Sequence, residues 1–305
     1  MLRYSLRRLL GAIPTLFLLI ALSFFMIRAA PGGPFSRERQ LLPEIEANLN
    51  AAYHLDEPLY MQFGRYLGGL LRFDFGPSFQ YRDYTVTELI KTGFPVSLKL
   101  GGAAMLIALV VGVAAGCIAA LRQNRAADYA VMSVAMTGIS IPSFVMAPLL
   151  ILLFAVYLRW LPAGGLGGFR TMVLPVTALA LPQIAYLARL TRASMVEVLR
   201  SNFIRTAKAQ GLPTWQIVVR HALKPALLPV VSYLGPAAAA VITGSVVIEQ
   251  IFGVPGIGRF FVTGALNRDY TLVMGVVVFY GVLIIAFNFF VDLAYAWLDP
   301  RVKFE

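Results

Sequence analysis

Few residues of this 305-residue chain could make or break bonds, and their spacing argues against a catalytic centre. The two histidines, His54 and His221, are far apart and fall in separate loops, so a histidine-pair metal site is excluded. Cys117 is the single cysteine and cannot form an intrachain disulfide. There is no G-x-x-x-x-G-K-[ST] phosphate loop, no H-E-x-x-H pair, no Cys/His cluster and no serine elbow. Nucleotide, metal and acyl-transfer chemistry therefore have no carrier here. Asp292 is the clearest ionisable group inside an apolar stretch. It either pairs locally near a span end or serves a transported ion, because acids within a bilayer segment are functional candidates by default.

The composition explains this scarcity. Hydrophobic residues make up 59% of the chain and charged residues 13%, and the mean hydropathy is +0.75. Disordered chains, coiled coils and disulfide scaffolds are excluded, and a soluble enzyme is disfavoured. A spanning helix needs about 20 mostly apolar residues. Six segments qualify: 9–27, 96–121, 129–158, 171–188, 226–248 and 272–298. The first follows the basic start 1–8, and its apolar run is longer than a signal-peptide core, so it reads as a retained anchor. Pro142, Pro148, Pro175 and Pro182 lie inside spans, which suits bundled membrane helices whose neighbours satisfy the freed carbonyls. The fold class is an all-α integral membrane protein, with one bundle domain over about 95–298.

Net charge is +11, and on an apolar chain basic residues fix orientation. Arg3, Arg7, Arg8, Arg122, Arg125, Arg189, Arg192, Arg200, Arg205, Lys208, Arg220, Lys224, Arg301 and Lys303 lie on one side. Only Arg159, Arg170, Arg259 and Arg268 lie in the short loops opposite. Both termini are expected in the cytoplasm, with loop 28–95 and turn 249–271 outside. Loop 28–95 carries the anchors Tyr53, Leu55, Phe63, Tyr66, Leu67, Leu70, Leu71, Phe73 and Phe75, with a helix expected over 59–71 ended by Gly76-Pro77. It reads as a small folded element, either a cap on the bundle or a docking surface for an external protein.

The cytoplasmic loop 189–225 carries the most specific pattern. Met195, Val196, Leu199, Phe203 and Ala207 share one helical face, opposite Glu197, Ser201, Arg205 and Lys208. The helix 195–209 is expected to break at Gly211-Leu212-Pro213. It is either a helix lying on the inner leaflet or an apolar knob for a cytoplasmic partner.

The run Asn202–Pro213 resembles the coupling loop of ATP-binding-cassette importer permeases, written E-A-A, three residues, then G. Arg205-Thr206-Ala207 occupy the first three places and Gly211 the last. Further stretches resemble the peptide and nickel branch of that class. They are Arg7-Arg8-Leu9-Leu10 with Pro31-Gly32-Gly33-Pro34, Leu55-Asp56-Glu57-Pro58, Asp74-Phe75-Gly76-Pro77-Ser78-Phe79, Glu249–Gly258, Asn267-Arg268-Asp269-Tyr270 and Asp299-Pro300-Arg301. The pattern is closest to the first of the two paired permease subunits of oligopeptide importers. Dipeptide, murein-peptide and nickel permeases are the alternatives.

The resemblance implies the type I importer permease fold, with six transmembrane helices, in a cell inner (cytoplasmic) membrane. It implies a second permease subunit, two ATP-binding subunits that hold ATP and magnesium, and a periplasmic peptide-binding protein; no cofactor resides in this chain. Phe203, Arg205, Thr206, Ala207, Gly211, Leu212 and Pro213 would then couple the chain to its ATPases. The span 226–248, rich in Ala and Gly, offers a weakly polar pathway through Ser232, Tyr233, Thr243, Ser245 and the adjoining Glu249, although small residues also serve helix packing. Pro255, Gly256 and Gly258 would shape an external gate.

Overall fold

The computed structural model describes residues 2–29, 43–81, 83–165 and 167–298. The motif stretches 31–34 and 299–301 lie outside them. Among the described residues the chain is helical, with one isolated β-bridge between Pro77 and Thr85. Five helices are long and apolar enough to cross a membrane: Leu10–Ala29, Val86–Leu121, Phe169–Leu199, Leu228–Ile251 and Tyr270–Leu293. A bent pair, Ala126–Ser140 with Ser143–Tyr157 at 103°, also has the length and apolar character of a span, as a broken crossing or a re-entrant loop.

The elements are α1 (Leu2–Ala29), α2 (Pro43–Ala52), α3 (Leu59–Leu70), α4 (Val86–Leu121), α5 (Ala126–Ser140) and α6 (Ser143–Leu150), the last continued by a π-helical turn over Ile151–Tyr157. Next come α7 (Phe169–Leu199), α8 (Asn202–Ala209), α9 (Thr214–Gln216), a π turn (Ile217–Ala222), α10 (Leu223–Ala226), α11 (Leu228–Gly244), α12 (Val246–Ile251), α13 (Ile257–Leu266) and α14 (Tyr270–Leu298).

Four of these depart from the sequence expectation for local reasons. The span expected over 129–158 is two helices, because Pro142 drives the preceding Ile141 to extended backbone (φ −98°, ψ 116°). Helix α4 starts ten residues before the expected 96, at a capping box. The Thr85 amide donates to Glu88 Oε2 at 2.8 Å, and the Glu88 amide donates to Thr85 Oγ1 at 3.2 Å. Pro95 is absorbed inside α4. The span expected over 171–188 runs on to Leu199 as α7. The expected helix 195–209 is therefore the end of α7 plus a separate α8, divided at Arg200-Ser201 where Ser201 turns extended (φ −67°, ψ 156°). Serine favours such helix starts over helix interiors.

The chain divides into two compact units, Ser97–Val254 with the chain end from Ile284, and Leu2–Val96 with Pro255–Leu283. In the first, α7 is the centre, in contact with α5, α6, α10, α11 and α12. Small residues are frequent among its buried ones: Ala178, Ala180, Ala185, Ala188 and Thr191. Gly112 and Gly116, four apart on α4, let that helix approach within backbone contact. A Cβ at Gly116 would lie 2.6 Å from the Ala188 carbonyl oxygen and 2.6 Å from Thr191 Cβ. Small residues four apart are the usual route to close packing in a bilayer, where hydrophobicity does not drive helices together.

In the second unit, Ile20 and Phe24 of α1 pack with Met274 and Val278 of α14, and Phe63, Tyr66, Leu67 and Leu70 of α3 close over them. A second cluster joins Val86, Leu89 and Ile90 to Ile257, Leu272 and Val276. Of the anchors expected in loop 28–95, Phe63, Tyr66, Leu67, Leu70 and Phe75 join this core and Tyr53 meets the Phe79 ring, but Leu71 and Phe73 are 85% and 82% exposed.

Gly116→Val should destabilise the protein by about 1–3 kcal/mol or more, as overpacking against backbone does. Gly102→Val is the control on the same helix, since a Cβ there meets nothing within 4 Å. Thermal unfolding in detergent is expected to separate the two variants, the first melting well below the second.

Candidate coupling surface, pathway face and carboxylate clasp

The coupling segment is built as a helix with a fixed stop. Ile204 and Ala207 face inward on α8, while Phe203, Arg205 and Thr206 are exposed. The helix ends at Gly211 in the left-handed region (φ 77°). The Gly211 amide donates to the Lys208 carbonyl at 3.0 Å, and the Leu212 amide to the Ala207 carbonyl at 3.3 Å. This paired closure leaves Leu212 packed back toward the helix it terminates. Pro213, extended at φ −68° and ψ 150°, then starts α9.

Beneath α8 lies a core of Met195, Ile204, Ala207, Ile217, Ala222, Ala226 and Ala120, with Leu212 at its edge. The apolar face predicted for a partner is thus mostly spent on the chain itself. Ala207 is 5% exposed because it lets α8 settle on α7 and the π turn. What remains outward is Phe203, 50% exposed, with Trp215 and Val219.

A buried ion pair anchors the neighbouring loop. Arg192 donates through Nε and Nη2 to the two oxygens of Asp128, at 2.6 Å each, and Asp128 is 1% exposed. The Asn124 amide completes the carboxylate at 2.9 Å. A two-pronged guanidinium–carboxylate pair fixes geometry as well as charge. From sequence, Arg192 reads only as an orientation charge and Asp128 carries no assignment. The available signal was an acid in the first turn of α5, three residues after Arg125.

The predicted pathway residues separate into two faces. Ser232 is exposed and Thr243 half-buried, on the stripe that also carries Pro236 and Ala240. Tyr233 donates its hydroxyl to Gln183 Oε1 of α7 at 2.9 Å. Ser245 and Glu249 lie on the opposite side, each 0% exposed, so the structure does not place them on an open surface. Glu249 Oε1 accepts hydroxyl bonds from Ser97 and Ser245 at 2.6 Å each. These bonds lock α12 to α4 and α11, because a carboxylate removed from water must keep its partners.

In the turn expected outside the membrane, Gly256 and Gly258 are buried around the start of α13 and Pro255 is half-buried. The gate expected as a re-entrant turn contains a helix, α13. A carboxylate that sequence reasoning leaves unassigned, Asp269, organises the start of the last helix. It caps α14 by accepting from the Leu272 amide at 3.0 Å and from Thr271 Oγ1 at 3.0 Å. It also accepts from Ser78 Oγ at 2.5 Å and from the Gln80 amide at 3.0 Å. One fully buried side chain so clasps the 78–80 loop to the beginning of the last helix.

A family model described as the inner membrane component of binding-protein-dependent transport systems matches residues 112–304. The chain belongs to this family. Its N-terminal companion model matches residues 1–101. The chain is 58% identical over 306 residues to the oligopeptide transport system permease protein OppB of Salmonella typhimurium, with both covered completely. It is 48% identical over 303 residues to the dipeptide transport system permease protein DppB of Bacillus subtilis, covering 99% of this chain and 98% of that one. Among solved structures it resembles the MetNI methionine transporter in an inward-facing form, with a TM-score of 0.60 at 18% identity, over 69% of this chain and 96% of that one. An amino acid ABC transporter aligns with a TM-score of 0.55 at 17% identity, over 69% and 94%. The fold is that of ABC importer permeases. The chain is a multi-pass inner membrane permease with a transport role, working with ATPase and substrate-binding partners.

The left-handed stop at Gly211 yields a structural prediction. Valine in that conformation costs about 1–2 kcal/mol, whereas asparagine is tolerated. Hydrogen exchange over residues 202–212 of this permease should accelerate in Gly211→Val and stay near native in Gly211→Asn.

Proposed function

We propose that this chain is one of two permease subunits of an ATP-driven oligopeptide importer, forming half of the translocation pathway. The observation that carries this reading is the full-length 58% identity to an oligopeptide permease. ATP and magnesium would be bound by two separate ATPase subunits, since the sequence has no phosphate loop of its own. A second, different permease would complete the pathway, and an external peptide-binding protein would deliver cargo. The 48% identity to a dipeptide permease supports a second reading in which the cargo is shorter.

The physical case for coupling rests on α8. It shares one apolar core with the end of α7 and with Ala226, next to the start of α11. A push on Phe203 by an ATPase would move these helices as one body, and alternating access is a switch between discrete packings of such bodies. The excess of basic residues on one side supports a cytoplasmic position for both termini and α8 and an outside position for the 43–81 segment.

Two measurements test the reading. In a Cys117→Ser background, Tyr84→Cys should react with an impermeant thiol reagent on intact cells, and Phe203→Cys only after permeabilisation. Both positions are about half-exposed, at 54% and 50%. The reverse pattern inverts the orientation. Proteoliposomes holding this permease, its partner permease and both ATPases should then take up a labelled pentapeptide when ATP is inside and loaded binding protein outside. Uptake of dipeptides alone selects the second reading, and no ATP-dependent uptake of either peptide refutes the importer.

A further inference from the structure

We infer that the uncovered face of α7 and α11 carries a carboxylate-binding subsite for the transported peptide, with Arg189 as its cation and Tyr186 and Tyr233 as its walls. The inference rests on the peptide-importer reading above and assigns a role to Arg189 and Tyr186, which the coupling and pathway expectations left out.

Helix α7 is half buried over its apolar window, and along its C-terminal half the buried residues Ala185, Leu187, Ala188, Thr191 and Met195 line one side. The side left open carries Pro182, Gln183, Tyr186 and Arg189 in successive turns. Tyr186 is 39% exposed and its ring lies 5.9 Å from that of Tyr233, inclined at 32°. The Tyr233 hydroxyl donates to Gln183 Oε1, which holds the second ring in place. The Arg189 guanidinium sits 5.3 Å from the Tyr186 ring centroid. Stacking on a ring orients a guanidinium while leaving its edge donors available.

No carboxylate of the described residues forms an ion pair with Arg189. The acid closest in role, Asp128, is taken on both oxygens by Arg192. Arg189 is thus a cation at the end of a membrane-spanning segment, on an open face, without an internal counter-charge among the described residues. A charge held at that boundary on an uncovered face is free to meet a ligand's opposite charge. Beside it, α11 presents Ser232, Pro236 and Ala240, which are exposed, small and uncharged. The cation and the two rings are then the specific contacts this face offers, with room next to them.

A peptide carboxylate fits these contacts. Every unmodified peptide carries one at its C-terminus whatever its side chains, so a single arginine can anchor cargo of varied sequence. Tyrosine faces accept apolar and polar side chains alike. A carboxylate from an Asp or Glu side chain shares the chemistry, and the experiment separates the two sources.

The test uses the complete complex in proteoliposomes, with saturating, preloaded binding protein so that its own selectivity drops out. Three probes are compared: an alanine-rich pentapeptide with a free C-terminus, its C-terminal amide, and the amide with one internal glutamate. Arg189→Gln should slow the free acid about tenfold, the scale of one lost charge-assisted bond, and leave the amide near its wild-type rate. Arg189→Lys should fall between. If the glutamate peptide is slowed as well, any carboxylate serves; if it is not, the terminus is what the site reads. A ratio of free acid to amide that is the same in Arg189→Gln and wild type overturns the subsite, leaving Arg189 to pair with the partner permease or with lipid. Should Arg189→Gln fail to assemble, wild-type complex is irradiated with a peptide ending in a photoreactive phenylalanine. Crosslinks at 183–190 or 232–233 support the subsite, and their absence during active transport overturns it. Wild-type complex that transports none of the probes refutes the importer reading itself, a different outcome from an unchanged ratio.

Discussion

Helix α4 approaches α7 closely enough that the Gly116 backbone rests on the Ala188 carbonyl, and this contact sets the first unit of the structure. A bilayer offers no hydrophobic reward for bringing two apolar helices together, so contact must come from dispersion at short range. Glycines on one helix and alanines on the other provide that range. With α7 held in this way, its continuation toward Leu199 is a rigid extension of the bundle rather than a loop. Arg192 and Met195 project from that extension, one to fix Asp128 and the other to seat α8. The candidate coupling surface is therefore an outgrowth of packing deep in the membrane segment.

The helical, membrane-spanning character of the chain is readable from apolar run lengths, because the bilayer imposes a length and forbids unsatisfied backbone. Helix ends are less legible, since they depend on a few hydrogen bonds. Thr85-Val86-Thr87-Glu88 is a readable start signal, yet Pro95 draws the boundary to itself. The single face drawn through Met195, Phe203 and Ala207 fails because Ser201 restarts the helix and rotates the residues beyond it. Phe203 consequently points away from the core that Met195 and Ala207 share.

The pathway residues carry a similar lesson in periodicity. Ser245 and Glu249 are polar and near Ser232 and Thr243 in sequence, so composition groups them together. On the helix they fall with Ala237, Val241 and Ile248, the buried side, while Ser232, Pro236 and Ala240 form the other. Asp128 and Asp269 carry local signals at helix starts, but their bonds to Arg192 and Ser78 lie beyond local reading. These partners are 64 and 191 residues away, and no spacing rule connects them.

Asp269 spends one carboxylate on both the cap of α14 and the loop at 78–80. The two are therefore not independent modules. An exchange of the segment that carries the 78–80 loop between related permeases must bring a hydroxyl at position 78 with it. A graft without that hydroxyl leaves a fully enclosed carboxylate one donor short and lets the new segment drift from the last helix, whatever its own surface recognises.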